Sequence, residues 1–281
     1  MKRIGLITLL AASALLSAAP AAGAESTAAS VTKSAGSVSA TLTWKKNGEF
    51  AAVSRPRLRI SRDGAVAIDV SVASACNMCH LIEDHTPDGD ASPHSILHVA
   101  DLDADGEPEV LFDVYSGGAH CCLTTRFFTY RPESNTYKRA PSQGWGNAHY
   151  EVEDLDGDGR QELNGADDRF AGFYSAYAAS AFPPMIIRYA RGPATGRSSL
   201  TNVTRRFPQV IRAEAARLLK KIRAGDRYLV PGALAAYVAG QYLLNRGSVG
   251  KAEMARARRR GLTAPGFQTD LLKLLRRTGY R

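Results

Sequence analysis

A chain of 281 residues, 44% hydrophobic and 22% charged, is long enough for one large or two small domains. Beyond its N-terminal segment no stretch reaches about 18 uninterrupted apolar residues, so no spanning helix is expected. The net charge of +9 hides a division by sign: residues 25–187 carry 13 Lys and Arg against 23 Asp and Glu, and residues 188–281 carry 21 against 4. For an exported protein such a basic surface points to anionic lipid headgroups, teichoic acid or acidic polysaccharide before nucleic acid.

Lys2 and Arg3 precede an apolar run over 4–16, and Ala22, Gly23 and Ala24 form a small-residue cleavage site. Residues 1–24 therefore read as a signal peptide, and the mature chain is expected to be secreted or periplasmic. Residues 25–37, rich in Ala, Ser, Gly and Thr, read as a disordered tether. A β domain is expected over 38–204. Residues 39–46 alternate like a strand, and residues 58–72 read as a hairpin turning at Asp63-Gly64. Further strands are expected at 124–130, 185–189 and 200–203.

From 205 to 281 the period becomes helical. Ile211, Ala215, Leu218 and Ile222 share one face, with Gly225 as terminator. Pro231 suits the first turn of a second, largely apolar helix, Ser248 can cap a third, and Pro265 opens a fourth carrying Phe267, Leu271 and Leu274. The fold class expected is α+β. Arg256, Arg258, Arg259 and Arg260 form the basic face expected to meet an anionic envelope surface. A polysaccharide or protein ligand is the partner expected, with no nucleic acid and no membrane span.

The chemistry lies in two near-identical segments, 101–110 (DLDADGEPEV) and 154–163 (DLDGDGRQEL). Ca²⁺ takes six to eight oxygens at about 2.3–2.6 Å, which a short loop supplies as carboxylates at alternate positions plus a backbone carbonyl. Asp101, Asp103 and Asp105 stand at positions one, three and five, Gly106 permits the turn, Glu107 offers its carbonyl, and Glu109 closes at position nine. Asp154, Asp156, Asp158, Gly159, the carbonyl of Arg160, and Glu162 repeat the pattern. Oxygen-only ligation favours Ca²⁺ over transition metals, and two ions per chain are expected. An EF-hand needs a bidentate Glu at position twelve and flanking helices. Position twelve is Phe112 or Gly165, and the flanking residues Leu97, Val99, Tyr150 and Val152 read as strands.

These DxDxDGxxE loops between strands resemble the FG-GAP or VCBS repeats of integrin-type β-propellers, over roughly residues 94–204. The run 115–122 (YSGGAHCC) also resembles a segment of secreted bacterial proteins of unknown function. The resemblance implies propeller-blade-like antiparallel sheets with Ca²⁺ held by the loop carboxylates. The spacing of 53 residues between the loops suits a four-stranded blade, yet 38–204 holds only about three such blades, short of a closed propeller. An open set of two or three sheets is expected, completed by an oligomer or by the C-terminal helices.

Cys76, Cys79, Cys121 and Cys122 are an even set in an oxidising compartment and default to two disulfides, with three pairings open. The order Cys76-Asn77-Met78-Cys79-His80 is also a c-type haem attachment signature, which makes a haem protein the first alternative reading. A metal-dependent hydrolase is the second. His80, His85, His94 and His98, with Glu83, Asp84, Asp88 and Asp90, form a polar loop with metal-ligand chemistry. No HExxH, GxSxG, P-loop or GxGxxG motif is present, and no catalytic residue is assigned. The Asp167, Asp168, Arg169 run reads as a surface turn. Binding or scaffolding at the cell envelope is the function expected.

Overall fold

The structure, a computed structural model, describes residues 27–46, 53–75, 81, 95–118, 121–192 and 196–281. The signal segment, Cys76, Cys79, His80, His85, His94 and His120 lie outside them, as do Glu83, Asp84, Asp88 and Asp90. The chain lays down three antiparallel meanders and then four helices, an α+β arrangement.

The first sheet runs in the order β1 (Thr27–Ala35), β2 (Val38–Lys46), β3 (Ser54–Arg62), β4 (Ala65–Ser71). β3 and β4 turn at Asp63 and Gly64, both at positive φ (51° and 77°), the backbone form of the tight hairpin that an Asp-Gly pair favours. The segment 25–37, expected as a tether, instead carries β1. Its composition is tether-like, but β2 supplies a full ladder of partners from Thr27↔Lys46 to Ala35↔Val38. Ala29 and Val31 of β1 pack against the apolar side that β2 lines with Val38, Ala40, Leu42 and Trp44.

The second sheet runs β5 (Leu97–Ala100), β6 (Glu109–Gly118), β7 (Cys121–Arg131), β8 (Thr136–Arg139), with β9 (Gln143–Gly146) added to β7. β6 is buried on both faces, which explains its nearly unbroken apolar run. Val110, Phe112 and Val114 enter the core shared with the first sheet, and Leu111 enters the core shared with the third. Near its end the register with β7 shifts between Tyr115 and Gly118, with Gly117 at φ 79°. Beyond this bulge Cys122 is disulfide-bonded.

The third sheet runs β10 (Tyr150–Glu153), β11 (Glu162–Ala166), β12 (Pro184–Arg191), β13 (Ser198–Asn202). Trp145 stacks on Tyr150 at 4.8 Å between ring centroids. Gly165 sits under that pair, and a Cβ there would lie 2.5 Å from Trp145 Cζ3. The position where an EF-hand would carry its closing Glu thus has no room for a side chain.

Helices α1 (Pro208–Ala224), α2 (Val230–Leu243), α3 (Gly247–Arg259) and α4 (Phe267–Arg277) follow. Ile211, Ala215, Leu218 and Ile222 are the buried face of α1, and Gly225 ends it at φ 81°, the left-handed conformation glycine adopts freely. α2 is buried nearly all round, as an apolar helix at the centre of a bundle should be. Two expected helix starts differ in the structure. α3 starts at Gly247 with Arg246 before it and no side-chain cap bond, so Ser248 lies inside the helix. Gly266 at φ 86° precedes α4, which leaves Pro265 outside it.

The helical core also contains Phe170, from the connection between β11 and β12. That connection is no surface turn. Asp167 is 1% exposed and accepts from Arg169 Nη2 (2.6 Å) and from the Tyr280 hydroxyl (2.9 Å). No helix among the described residues is long and apolar enough to cross a membrane.

Candidate metal centre

Each acidic loop closes a hairpin between the first two strands of its sheet. β5 and β6 meet at Ala100↔Glu109, and β10 and β11 at Glu153↔Glu162. The closing glutamate is therefore the first residue of a central strand. Glu109 is 1% exposed and Glu162 is fully buried.

The loops fold by similar internal bonds. Asp101 accepts from the backbone N–H of Asp105 (3.1 Å) and of Gly106 (2.8 Å), and Asp154 from those of Gly157 (2.7 Å) and Gly159 (3.0 Å). Gly106 and Gly159 both take positive φ, 89° and 84°, where a side chain would be strained. Glu109 accepts from the Leu102 N–H and Glu162 from the Leu155 N–H, each at 3.2 Å.

In the first loop, one oxygen each from Asp101, Asp103 and Glu109 lie within 4.8 Å of one another; Asp154, Asp156 and Glu162 do the same in the second. Two oxygens on one Ca²⁺ at up to 2.6 Å can be at most about 5.2 Å apart, so both triplets are compact enough to share an ion. The oxygen-only donor set suits a hard cation. Asp105 and Asp158 stand outside these triplets, each turning Oδ1 to the N–H two residues on, Glu107 at 2.9 Å and Arg160 at 3.0 Å. The Glu107 carboxylate points away to Arg62 of the first sheet, at 2.5 and 3.0 Å, and Arg62 itself lies over the Tyr130 ring.

The two sites differ in what neutralises them. Asp103 Oδ2 accepts from the Arg191 backbone N–H (2.9 Å), while its buried Oδ1 has no hydrogen-bond partner among the described residues. Burial pushes the Asp103 carboxyl up and, with Asp103 nearby, pushes Glu109 up to about 8. Thr129 Oγ1 donates to Glu109 Oε1 at 3.2 Å. No Lys or Arg side chain among the described residues forms an ion pair with Asp101, Asp103, Asp105 or Glu109. In the second loop the Arg188 guanidinium, 7% exposed, reaches Asp156 Oδ2 (3.3 Å), Asp158 Oδ2 (3.1 Å) and Glu162 Oε1 (2.6 Å from Nε). The backbone bond from Arg160 and then Arg188 itself hold Asp158 below the usual carboxylate range.

The loops also touch each other. Gln161 donates its N–H to the Leu102 carbonyl at 3.2 Å. The first loop is therefore held on three sides: by Arg62 from the first sheet, by its own sheet, and by Gln161 of the second loop together with Arg191 of β12.

Sequence reasoning found the loop carboxylates but not Arg188, Arg191, Thr129 or Arg62. Arg188 could have been flagged as a charge set between the apolar Ile187 and Tyr189 of its strand. His98 lies on β5 against the Tyr150 ring at 5.9 Å, and the acidic groupings found among the described residues contain no histidine. On the basic helices, Arg256 pairs with Glu253 at 2.6 Å. Arg260 donates to the carbonyls of Ile222 (3.4 Å) and Arg223 (3.3 Å) at the end of α1, so both have structural partners. Arg258 and Arg259 are exposed on the last turn of α3.

No family model matches the chain, and no solved structure matches it. A probable thylakoid lumen protein of Synechocystis is 33% identical over 157 residues, 54% of this chain and 44% of that protein. An uncharacterized protein of Sinorhizobium fredii is 33% identical over 81 residues, 28% of this chain and 12% of that one. The chain spans less than half the length of either curated relative.

Proposed function

We propose that the chain is a calcium-binding, non-enzymatic scaffold or binding module of the FG-GAP/VCBS type, acting outside the cytoplasm at the cell envelope. The observation that carries the calcium reading is the first loop. Three carboxylates converge there within the span of one ion's coordination shell, and a buried Asp103 oxygen has no hydrogen-bond partner among the described residues. Burying uncompensated charge is costly, and a divalent ion at that point removes the cost. Three consecutive meanders, two of them with acidic hairpins at equivalent places, support blades in series. The signal-like N-terminus and a relative named for the thylakoid lumen support a site beyond the cytoplasmic membrane. A disulfide at Cys122 suits such a compartment, and its partner is assigned among Cys76, Cys79 and Cys121. Arg258 and Arg259 are the residues best placed to meet an anionic surface.

Calorimetric titration of the purified chain with CaCl₂ tests the reading. Dissociation constants of about 10⁻⁴–10⁻³ M are expected, in the range of extracellular modules. Absence of binding up to about 10 mM, well above that range, would remove it.

A further inference from the structure

We infer that Arg188 is a built-in counter-ion that takes the place of the metal in the second loop, so the chain binds one calcium ion and not the two that the repeated motif suggests. This rests on the calcium reading of the first loop.

The two loops can be compared position by position, because the sheets share one topology. Glu162 on β11 pairs with Arg188 on β12. The equivalent pair on β6 and β7 is Glu109 and Thr129, the next step after Val110↔Phe128 in the same antiparallel register. The third strand of one sheet thus offers a guanidinium where the third strand of the other offers a hydroxyl. Thr129 gives Glu109 one neutral hydrogen bond. Arg188 gives the second loop a full positive charge spread over a planar fork, and places its nitrogens on Glu162, Asp158 and Asp156 together.

Two of those three, Asp156 and Glu162, belong to the triplet that could hold an ion. A calcium ion there would have to displace a buried guanidinium that stays charged at every accessible pH. The exchange would leave that charge buried, unless the side chain moved out past the Phe207 ring over which it lies at 5.9 Å. The first loop requires no such exchange.

The arrangement also has a use. Arg191, three residues further along β12, gives its N–H to Asp103, and Gln161 of the second loop gives its N–H to Leu102. A second hairpin locked by its own arginine holds those two donors in place whether or not calcium is present, and so preorganises the first site.

Native mass spectrometry of the full chain at saturating calcium, paired with equilibrium dialysis, reads the number of ions. The wild type should carry one, Asp103→Asn none, and Arg188→Thr, which copies the first sheet, two. Two ions on the wild type would overturn the role of Arg188 while leaving the calcium reading intact. One ion retained by Asp103→Asn would place it in the second loop, and one on a folded Arg188→Thr would mean the arginine is not what excludes it; either overturns the inference. No ion on the wild type removes the calcium reading and this inference with it. Should Arg188→Thr fail to fold, the wild-type and Asp103→Asn counts still decide.

Discussion

Tyr280 joins the last turn of the chain to the β11–β12 connection, and its removal should loosen the helices from the sheets. Its hydroxyl donates to Asp167 Oδ2 at 2.9 Å, and its ring meets Phe170 edge-on at 5.3 Å. A hydrogen bond to a charged group contributes about 1.5–3 kcal/mol. Asp167 keeps Arg169 at 2.6 and 2.8 Å after the hydroxyl is gone, so the carboxylate is not orphaned and Tyr280→Phe should fall near the lower bound, about 1.5 kcal/mol. Tyr280→Ala also removes a 5%-exposed ring and should cost about 3–5 kcal/mol. At about 2–4 °C per kcal/mol for a chain of this size, the phenylalanine variant should melt about 3–6 °C lower. Urea unfolding followed by tryptophan fluorescence and by helical circular dichroism measures both, and pairing with Asp167→Asn in a double-mutant cycle isolates the coupling. A Tyr280→Phe midpoint indistinguishable from wild type, or no coupling in the cycle, would refute the reasoning.

Four further outcomes follow from the same geometry. Glu109, pushed up to about 8 by burial, holds its proton more tightly folded than unfolded, so the calcium-free protein should lose stability as pH rises from about 4.5 towards 8, and calcium uptake at neutral pH should release protons; a flat melting profile across that window without calcium contradicts this. Gly165→Ala drives a methyl group into Trp145 and should destabilise by about 1–3 kcal/mol, measured by urea unfolding. Leu163→Ala, fully buried between the second and third sheets, should cost about 2–5 kcal/mol in the same assay. Arg258→Gln with Arg259→Gln should weaken salt-sensitive retention on anionic liposomes without altering calcium binding, whereas wild-type protein that passes through unretained would leave those residues as a solvated face.

The helices were legible because their signals are local. A 3.6-residue spacing in α1, a Gly stop after it and an apolar α2 need no partner to be recognised. The acidic hairpins were legible for the same reason, since nine consecutive residues carry the whole pattern. β1 was not, because Ala and Ser, five of its nine residues, carry little strand preference and the strand exists through the ladder that β2 provides. Asp167 escapes a sequence reading for a related reason: its burial depends on Tyr280, more than a hundred residues away. Arg188 illustrates the limit best. Two loops that look alike in the sequence differ through a residue on a third strand, 26 positions from the glutamate it neutralises.

The crossing bonds at Leu102 and Asp103 make the first loop a seam, with its carboxylates on one sheet and two of its stabilising amides on the next. An event confined to that loop is thus recorded in another part of the molecule's backbone. The amide protons of Gln161 and Arg191 become remote reporters, and their exchange with deuterated solvent should slow when calcium stiffens the aspartate they or their neighbours hold. On the proposed calcium reading, those two amides would keep their positions and report in their exchange whether the neighbouring loop is filled.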